Sequence, residues 1–342
     1  MSEPLSAVVV GAGYFAGFHI DAWQRLADVT LRAIVEIDNN KHQALQQSHP
    51  GVTIVRGIEE LTFDPDIVDI ATPPTTHVPQ IQLALNNTSA LIICQKPFCG
   101  TLDAAQRMVN EAQTRQRKIV VHENFRFQPW YRQLKQLMQN QLIGQVQQAT
   151  FRLRPGDGQG PQAYLERQPY FQDMPRFLIH ETGIHFIDVF RFLFGEPDAL
   201  SADLRKLNPA IQGEDAGCFN FIYDHGLRAV FDGNRHIDHA ARNTRTTMGE
   251  MLIEGTTGTL TLNGDGDILY RKFGTVDLVN MPYTRSDYGF AADCVFLLQQ
   301  HVVNHLRHAT ALENTAGDYL KNQQLEALVY EANETRRTLA VN

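Results

Sequence analysis

Short apolar runs alternate with longer amphipathic stretches from residue 5 to about residue 122, and no other feature constrains the fold as much. The predicted strands are Ala7–Val10, Thr30–Val35, Thr53–Val55, Ile67–Ile70, Ala90–Ile93 and Lys118–Val121. The predicted helices between them are Phe15–Ala27, Lys41–Ser48, His77–Asn86 and Leu102–Arg117. Continuous apolar strands joined by amphipathic helices indicate parallel βαβ units with helices on both faces of the sheet. We therefore predict an α/β domain with a doubly wound parallel sheet over residues 1–122.

The pattern changes after residue 122. A helix is predicted over Tyr131–Asn140, an alternating strand over Val146–Leu153, and a helix from about Glu181 to Phe194 that ends at Gly195. The short strands predicted after it are Cys218–Tyr223, Leu227–Phe231, Glu250–Glu254, Thr259–Leu262 and Ile268–Lys272. We predict that residues 123–342 form a second α/β domain with an open, mainly antiparallel sheet and a final helix at about residues 318–339.

Composition excludes several classes of protein. The net charge is −8, from 30 Lys and Arg against 38 Asp and Glu, without a basic block that could follow a phosphate backbone. The apolar runs are too short to cross a bilayer, and the four cysteines form no CxxC pair. We therefore expect a cytoplasmic protein with reduced cysteines that binds neither nucleic acid nor membrane.

The first predicted strand leads directly into a glycine-rich turn that fits the pattern G-x-G-x-x-G/A. Its residues are Gly11, Ala12, Gly13, Tyr14, Phe15 and Ala16. In this pattern the glycines permit a tight turn and a close approach to a pyrophosphate, which the following helix N-terminus binds. Glu36 ends the second strand, where a carboxylate would bind the ribose hydroxyls and repel a 2′-phosphate. The turn predicts NAD rather than NADP, and Asp38 is the competing acid at this strand end.

Three further stretches, in chain order, carry a resemblance to a known family. They are Asp69-Ile70-Ala71-Thr72-Pro73-Pro74-Thr75-Thr76-His77, Cys94-Gln95-Lys96-Pro97 and Glu181-Thr182-Gly183-Ile184-His185-Phe186-Ile187-Asp188. With the glycine turn they resemble the glucose–fructose oxidoreductase and inositol dehydrogenase family over essentially the whole chain. The resemblance implies a Rossmann domain followed by an open-faced α/β domain, with the nicotinamide ring between the two.

The resemblance also implies roles for individual residues of the first half. Lys96 matches the catalytic lysine of the family's Glu-Lys-Pro motif, and Gln95 replaces the glutamate, which removes one negative charge beside the lysine. Other residues are implied to contact or border the cofactor: Ala71, Thr72, Pro73, His77, Gln95, Lys96 and, in an aromatic–basic segment, Arg126.

The second catalytic element of the family is Asp-x-Gly-x-His, which here reads Glu181-Thr182-Gly183-Ile184-His185. His185 is the expected general base because imidazole exchanges protons near neutral pH. Four residues apart on a helix, Glu181 would lie on the same face and either orient His185 or hold a substrate hydroxyl. A zinc site is the alternative for His180 and His185, but a spacing of five turns them about 140° apart on a helix. We therefore expect no metal.

The implied reaction is hydride transfer from a sugar hydroxyl to NAD, with His185 accepting the hydroxyl proton and Lys96 stabilising the oxygen. The candidate substrate residues are Arg154, Asp157, Tyr164, Arg176, His180, His185, Asn234 and Arg235. These motifs resemble a subgroup that includes D-apiose dehydrogenases, so an aldose oxidised at C1 to a lactone is the first expectation. A cyclitol substrate, a catalytically silent NAD-binding sensor and a redox-assisted glycoside hydrolase are the alternatives. An open sheet face also favours a homo-oligomer, a dimer or a tetramer.

Overall fold

The computed structural model describes residues 3–341, which form two compact units. The first unit comprises Met1–Asn124 and Asp293–Lys321, and the second comprises Phe125–Ala292 and Asn322–Asn342. No helix in residues 3–341 is both long and apolar enough to cross a membrane.

The first unit is built on six parallel strands in the order β3-β2-β1-β4-β5-β6. The strands are Leu5–Val10 (β1), Val29–Val35 (β2), Thr53–Val55 (β3), Ile67–Ile70 (β4), Leu91–Gln95 (β5) and Ile119–His122 (β6). The helices that join them are Ala16–Arg25 (α1), Asn39–Ser48 (α2), His77–Asn87 (α3) and Leu102–Thr114 (α4). All residues of β4, β5 and β6 are buried, as expected for strands covered on both faces. The predicted doubly wound parallel sheet is confirmed.

The second unit contains a nine-stranded sheet in the order β14-β13-β12-β11-β7-β10-β9-β8-β15. Its elements in chain order are Pro129–Gln139 (α5), Val146–Leu153 (β7), Ile184–Phe194 (α6), Ala199–Arg205 (β8), Ala216–Ile222 (β9), Arg228–Asn234 (β10), Gly249–Gly255 (β11), Gly258–Leu262 (β12), Ile268–Lys272 (β13) and Val279–Asn280 (β14). The chain then continues with Cys294–His308 (α7), which belongs to the first unit, Ala316–Thr335 (α8), which begins in the first unit and continues in the second, and Leu339–Ala340 (β15) of the second unit. Every pair in this sheet is antiparallel except β7 with β10, so the prediction of a mainly antiparallel sheet is confirmed.

Aromatic side chains form the core between α6 and one face of the second sheet. The ring of Phe186 stacks on Phe151 of β7 at 3.9 Å and lies 5.3 Å from Phe231 of β10. Phe231 stacks in turn on Phe219 of β9 at 5.0 Å. Because side chains alternate along each strand, the neighbouring residues point away from α6 to the other face.

The structure divides the chain differently from the sequence pattern. The pattern places all of residues 123–342 in the second domain, but residues 293–321 belong to the first unit. Asp293 accepts two hydrogen bonds of 2.7 Å from Arg25 of α1, and the same guanidinium lies over the ring of Phe296. These contacts join residues that are distant in sequence, so local sequence patterns do not predict them.

The final helix also differs from its prediction. It spans Ala316–Thr335 rather than residues 318–339, because Arg336 has a left-handed backbone with φ of 54°. The chain then turns into β15, where Leu339 pairs with Leu200 of β8.

Candidate functional site

The glycine turn between β1 and α1 has the geometry of an anion site. Gly11 has φ of 101°, and a Cβ at this position would lie 2.9 Å from the carbonyl oxygen of Ala71. A Cβ built on Gly13 would meet no described atom within 4 Å, so there is open space beside the backbone at this point. Phe15 occupies the cap position of α1, and its ring offers no oxygen to the first amides of the helix. A helix N-terminus of this kind suits a pyrophosphate.

Glu36 lies beside this turn at the end of β2. Its side chain is 7% exposed and accepts hydrogen bonds from the amides of Ala12 at 3.1 Å and Asp38 at 3.0 Å. Lys41 contributes a third donor at 3.2 Å. The carboxylate is therefore fixed next to the backbone of the glycine turn, where the ribose of a bound dinucleotide would lie. Asp38 instead caps α2 by accepting the amide of Asn40.

His77 connects two loops at the carboxyl end of the same sheet. Its Nδ1 lies 3.0 Å from the carbonyl oxygen of Pro97, and its Nε2 lies 3.0 Å from that of Thr72. Burial lowers the pKa of His77. Thr76 Oγ1 lies 2.8 Å from both the carbonyl oxygen of Pro73 and the hydroxyl of Thr72. The predicted cofactor loop is thus held to the loop that carries Lys96, and Ala71 joins it to β1 through a 2.9 Å bond to Val10 O.

Lys96 follows the last residue of β5 and is half-buried. Its main-chain amide donates to the side-chain oxygen of Gln95 at 2.8 Å, and the side-chain nitrogen of Gln95 lies 3.0 Å from His19 Nε2. The predicted lysine is therefore attached to a buried polar neighbourhood that includes His19, a residue the sequence analysis did not single out.

His185, the predicted general base, lies in the second unit. It is 6% exposed, and its ring stacks on Phe125 with centroids 3.9 Å apart and planes 6° from parallel. The helix predicted from Glu181 to Phe194 is not uniform, because Leu178–Gly183 forms a wider π-helical turn before α6. A Cβ on Gly183 would lie 3.1 Å from Ile179 Cδ1, so a larger residue here would require the Ile179 side chain to shift. The spacing expected for Glu181 and His185 on a uniform α-helix therefore does not apply across Gly183.

Arg235 gathers several of the predicted substrate residues. It is 2% exposed and donates to the Tyr164 hydroxyl at 2.8 Å, to Asp157 Oδ1 at 3.3 Å and to Thr182 Oγ1 at 2.9 Å. Burial opposes its charge, but Asp157, Tyr164 and Glu181 hold its pKa above the ordinary value. Asp157, Tyr164 and Arg235 therefore lie together beside the turn that carries Glu181. Thr182 joins them, and the Glu-Thr-Gly-x-His motif was the only signal for it.

The structure places the other predicted residues apart from this group. Arg154 is buried and donates to Asp232 Oδ2 at 2.5 Å. Asn234 accepts the amide of His236 at 2.9 Å, which closes a turn. The remaining two predicted residues contact α8: His180 Nδ1 lies 2.6 Å from Glu326 Oε1, and Arg176 lies over the ring of Tyr330 at 4.2 Å.

Arg126, predicted at the cofactor, makes a bidentate ion pair within the second unit. Its guanidinium donates to both oxygens of Asp188, at 2.7 and 2.6 Å. Asn322 of α8 donates to the same carboxylate at 2.8 Å. The pair joins the Phe125–Phe127 segment to α6, and Phe125 of this segment stacks on His185. Residues 3–341 contain no group of His, Cys, Asp and Glu side chains that could hold a metal ion.

The parallel sheet, its glycine turn and the acid at the end of β2 define an NAD-binding Rossmann protein. Residues 5–123 match the model of an oxidoreductase family with an NAD-binding Rossmann fold, and residues 131–261 match that of the GFO/IDH/MocA C-terminal domain. The chain belongs to the GFO/IDH/MocA family of oxidoreductases.

Relatives and solved structures match nearly the whole chain. A D-apiose dehydrogenase of Paraburkholderia graminis is 28% identical over 97% of this chain and 88% of its own. One from Rhizobium rhizogenes is 26% identical over 98% and 97%. The crystal structure of an oxidoreductase from Agrobacterium radiobacter in complex with NAD+, L-tartaric acid and magnesium superposes with a TM-score of 0.87. That structure is 24% identical and covers 98% of both chains, and its similarity establishes the fold.

Proposed function

We propose that the protein is an NAD-dependent sugar dehydrogenase that oxidises an aldose at C1 to a lactone, with D-apiose as the first candidate. The observation that carries the proposal is the match to two D-apiose dehydrogenases over 97% and 98% of the chain. The residues proposed for the chemistry support it, because a half-buried lysine, Lys96, follows β5 and a buried histidine, His185, lies in the first turn of α6.

The chain's own residues handle the proton and the charge on the substrate oxygen. His185, held by its stack on Phe125, accepts the proton of the C1 hydroxyl. The ammonium of Lys96 stabilises the negative charge that develops on that oxygen. NAD, when bound, would supply the hydride acceptor, and the products would be a lactone, NADH and a proton. Gly11, Gly13 and the start of α1 would hold the pyrophosphate, and Glu36 the adenosine ribose.

We place the reaction in the cytoplasm. All four cysteines are free thiols, and three of them are buried, which suits a compartment that keeps thiols reduced. Burial raises the pKa of the Cys94 and Cys294 thiols well above the ordinary value, so neither is a reactive thiolate.

Removal of either chemical side chain tests the proposed roles. Lys96→Met and His185→Ala should each lower kcat by roughly a hundredfold or more while NAD still binds, because the first change removes charge stabilisation and the second removes the base. Steady-state kinetics and calorimetric NAD titration measure the two quantities. The matched controls are Lys206→Met and His225→Ala at exposed positions, which should keep normal kcat. Near-normal turnover in both site variants would contradict the assignment.

The proposal itself is tested by NADH absorbance in a screen of aldoses, D-apiose included, and cyclitols, with NAD and NADP in parallel. Strong NADH formation with one aldose supports it. Formation with a cyclitol instead makes the protein a cyclitol dehydrogenase. Silence across the panel, with calorimetry still detecting NAD, overturns the dehydrogenase and favours the sensor or the redox-assisted hydrolase. Release of a sugar from a glycoside without net NADH then identifies the hydrolase.

We also propose that the protein is a homo-oligomer that pairs through the face of the nine-stranded sheet opposite α6. The support is a row of uncharged side chains that crosses seven neighbouring strands on that face. They are Ser201, Asn220, Val230, Thr150, Leu252, Thr261 and Leu269, each paired with the next in register.

A further inference from the structure

A cluster of buried polar side chains lies beneath Lys96 in the first unit. Its members come from four elements and are at most 8% exposed: His19 and Trp23 of α1, Asp69 of β4, Gln95 of β5 and Gln299 of α7. We call it the Asp69 cluster. Buried polar groups of this kind are costly unless every donor meets an acceptor, so the direction of each hydrogen bond can be worked out.

Asp69 is the acceptor end of the cluster. Its Oδ2 accepts from Trp23 Nε1 at 2.7 Å and from Gln299 Nε2 at 3.2 Å, and it lies 2.7 Å from His19 Nδ1. The N–H groups of Trp23 and Gln299 both point at Oδ2, so this oxygen acts as an acceptor, and His19 Nδ1 carries a hydrogen and donates it.

The far side of His19 fixes the orientation of Gln95. His19 Nε2 lies 3.0 Å from the side-chain nitrogen of Gln95, and an amide nitrogen can only donate. The imidazole is therefore neutral, with its lone pair on Nε2. The amide oxygen of Gln95 is turned towards Lys96 and accepts its main-chain N–H at 2.8 Å.

The main-chain amide of Lys96 excludes the opposite orientation of the Gln95 side-chain amide. A doubly protonated His19 would require the oxygen of Gln95 to face it, which turns the side-chain nitrogen towards the amide of Lys96. Two N–H donors would then face each other in a buried place. The main-chain amide of Lys96 and the carboxylate of Asp69 thus select one state of the histidine between them.

We propose that Gln95 is a positioning residue. Together with the neutral Nδ1–H form of His19, it fixes the position of the main chain at Lys96. The inference deepens the proposed function, on which the chemical role of Lys96 rests. The titratable groups that face His19 are Asp69 and His122, whose ring lies 4.1 Å from that of His19. Burial lowers the pKa of His122 to about 3, so this ring stays neutral and adds no charge near pH 7.

The spectroscopic test needs no substrate. Long-range ¹H–¹⁵N correlation spectra of the ¹⁵N-histidine-labelled full chain at pH 7 should show His19 with one hydrogen, on Nδ1. In Gln95→Glu, two acceptors face the histidine from opposite sides, so His19 should carry a second proton and appear as imidazolium. His19→Gln assigns the signal. An Nε2–H form in the natural chain, or an unchanged His19 signal in Gln95→Glu, overturns the proposal.

The kinetic test separates positioning from packing. Gln95→Met keeps the volume and removes both hydrogen bonds, and it should lower kcat about tenfold or more with KM for NAD within about twofold. Gln299→Met is the matched control, since it removes hydrogen bonds to Asp69 and to the main-chain carbonyl of His19 but none to Gln95 or Lys96. An equal fall in kcat in both variants overturns the positioning role. Absence of any dehydrogenase activity in the natural chain would contradict the proposed function. It would leave the inference about His19 to be decided by the spectra.

Discussion

The carboxylate of Glu36 has a structural role and, as proposed above, a role in selecting NAD over NADP. It accepts hydrogen bonds from the main-chain amides of Ala12 and Asp38, and these bonds connect the end of β2 to the glycine turn. Its charge is partly offset by Lys41, whose side chain is about half exposed. The two roles can be separated, because an amide at this position keeps an acceptor oxygen and loses the charge.

Glu36→Gln should therefore relax the choice of cofactor, at a cost in stability of roughly 1–3 kcal/mol, because its side-chain nitrogen must face one of the two backbone amides. The ratio of kcat/KM for NAD to that for NADP should fall about tenfold or more, because the repulsion of a 2′-phosphate disappears. Asp38→Asn, at the competing acid, should leave the ratio nearly unchanged. If Asp38→Asn moves the ratio and Glu36→Gln does not, Asp38 is the ribose ligand.

His122 makes the stability of the first unit depend on pH. Burial lowers its pKa from 6.5 to about 3. Between these values the unfolded chain binds a proton that the folded chain does not, so the free energy of unfolding falls as the pH falls from about 6.5 towards 3. His77, whose pKa is also lowered by burial, acts in the same direction.

His122→Phe should flatten this dependence. We expect its urea midpoint to fall less than that of the natural chain between pH 6.5 and pH 4. The chain has two tryptophans, so in a Trp130→Phe background Trp23 of the first unit reports alone. Parallel slopes for the two proteins would show that His122 does not control the acid sensitivity.

At the scale of elements, Arg235 joins three segments of the second unit: the end of β10, the loop with Asp157 and Tyr164, and the turn with Thr182. The guanidinium also lies over the rings of Phe177 at 4.7 Å and Tyr164 at 5.2 Å. A cation held by oxygens and aromatic faces fixes a loop that has no strand or α-helix of its own.

Arg235→Met should destabilise the protein by about 3 kcal/mol, because it removes the buried cation that donates to the Tyr164 hydroxyl and to Thr182 and that pairs with the carboxylate of Asp157. Arg205→Met is the matched control: its pair with Asp203 is more than half exposed on both sides, so the loss should stay below about 1 kcal/mol. Urea denaturation measures both. Equal losses would mean that the loop is held by its aromatic rings rather than by Arg235.

The sequence predicts regular elements better than their junctions. The strand Thr53–Val55 and the helix beginning at His77 are where periodicity puts them, since continuous apolar runs and helical spacing are local signals. The wide turn at Leu178–Gly183 has no such signal. The strand Ala199–Arg205 was not predicted either, because its polar residues pair with β9 through register rather than through an apolar pattern.

The candidate site divides in the same way. Lys96 and His185 follow from motifs, and the turn at Gly11 follows from its place between strand and helix. The hydrogen-bond partners of the site residues cannot be predicted from such local patterns. Gln95 meets His19 and Arg235 meets Thr182 across 76 and 53 residues, distances over which only the folded chain defines a hydrogen bond.

At the scale of the whole molecule, the outer face of the nine-stranded sheet has the charge pattern of an interface between copies. The central row contains Val230, Thr150 and Leu252 side by side and carries no charge. The next row along the same strands holds Asp232, Arg152 and Glu250, and Arg152 lies 3.8 Å from Glu250. An uncharged centre bordered by charged residues is the anatomy of a self-complementary interface with two-fold symmetry.

Leu252→Glu places a charge in the middle of this row and should separate the copies. We expect sedimentation at micromolar concentration to give a dimer or a tetramer for the natural chain and a monomer for the variant, because an unpaired charge at the centre of an interface costs several kcal/mol. Leu306→Glu is the matched control, since Leu306 of α7 is 37% exposed against 38% for Leu252 and lies outside the sheet. A monomeric natural chain removes the interface altogether. An unchanged mass for Leu252→Glu assigns the contact between copies to another surface.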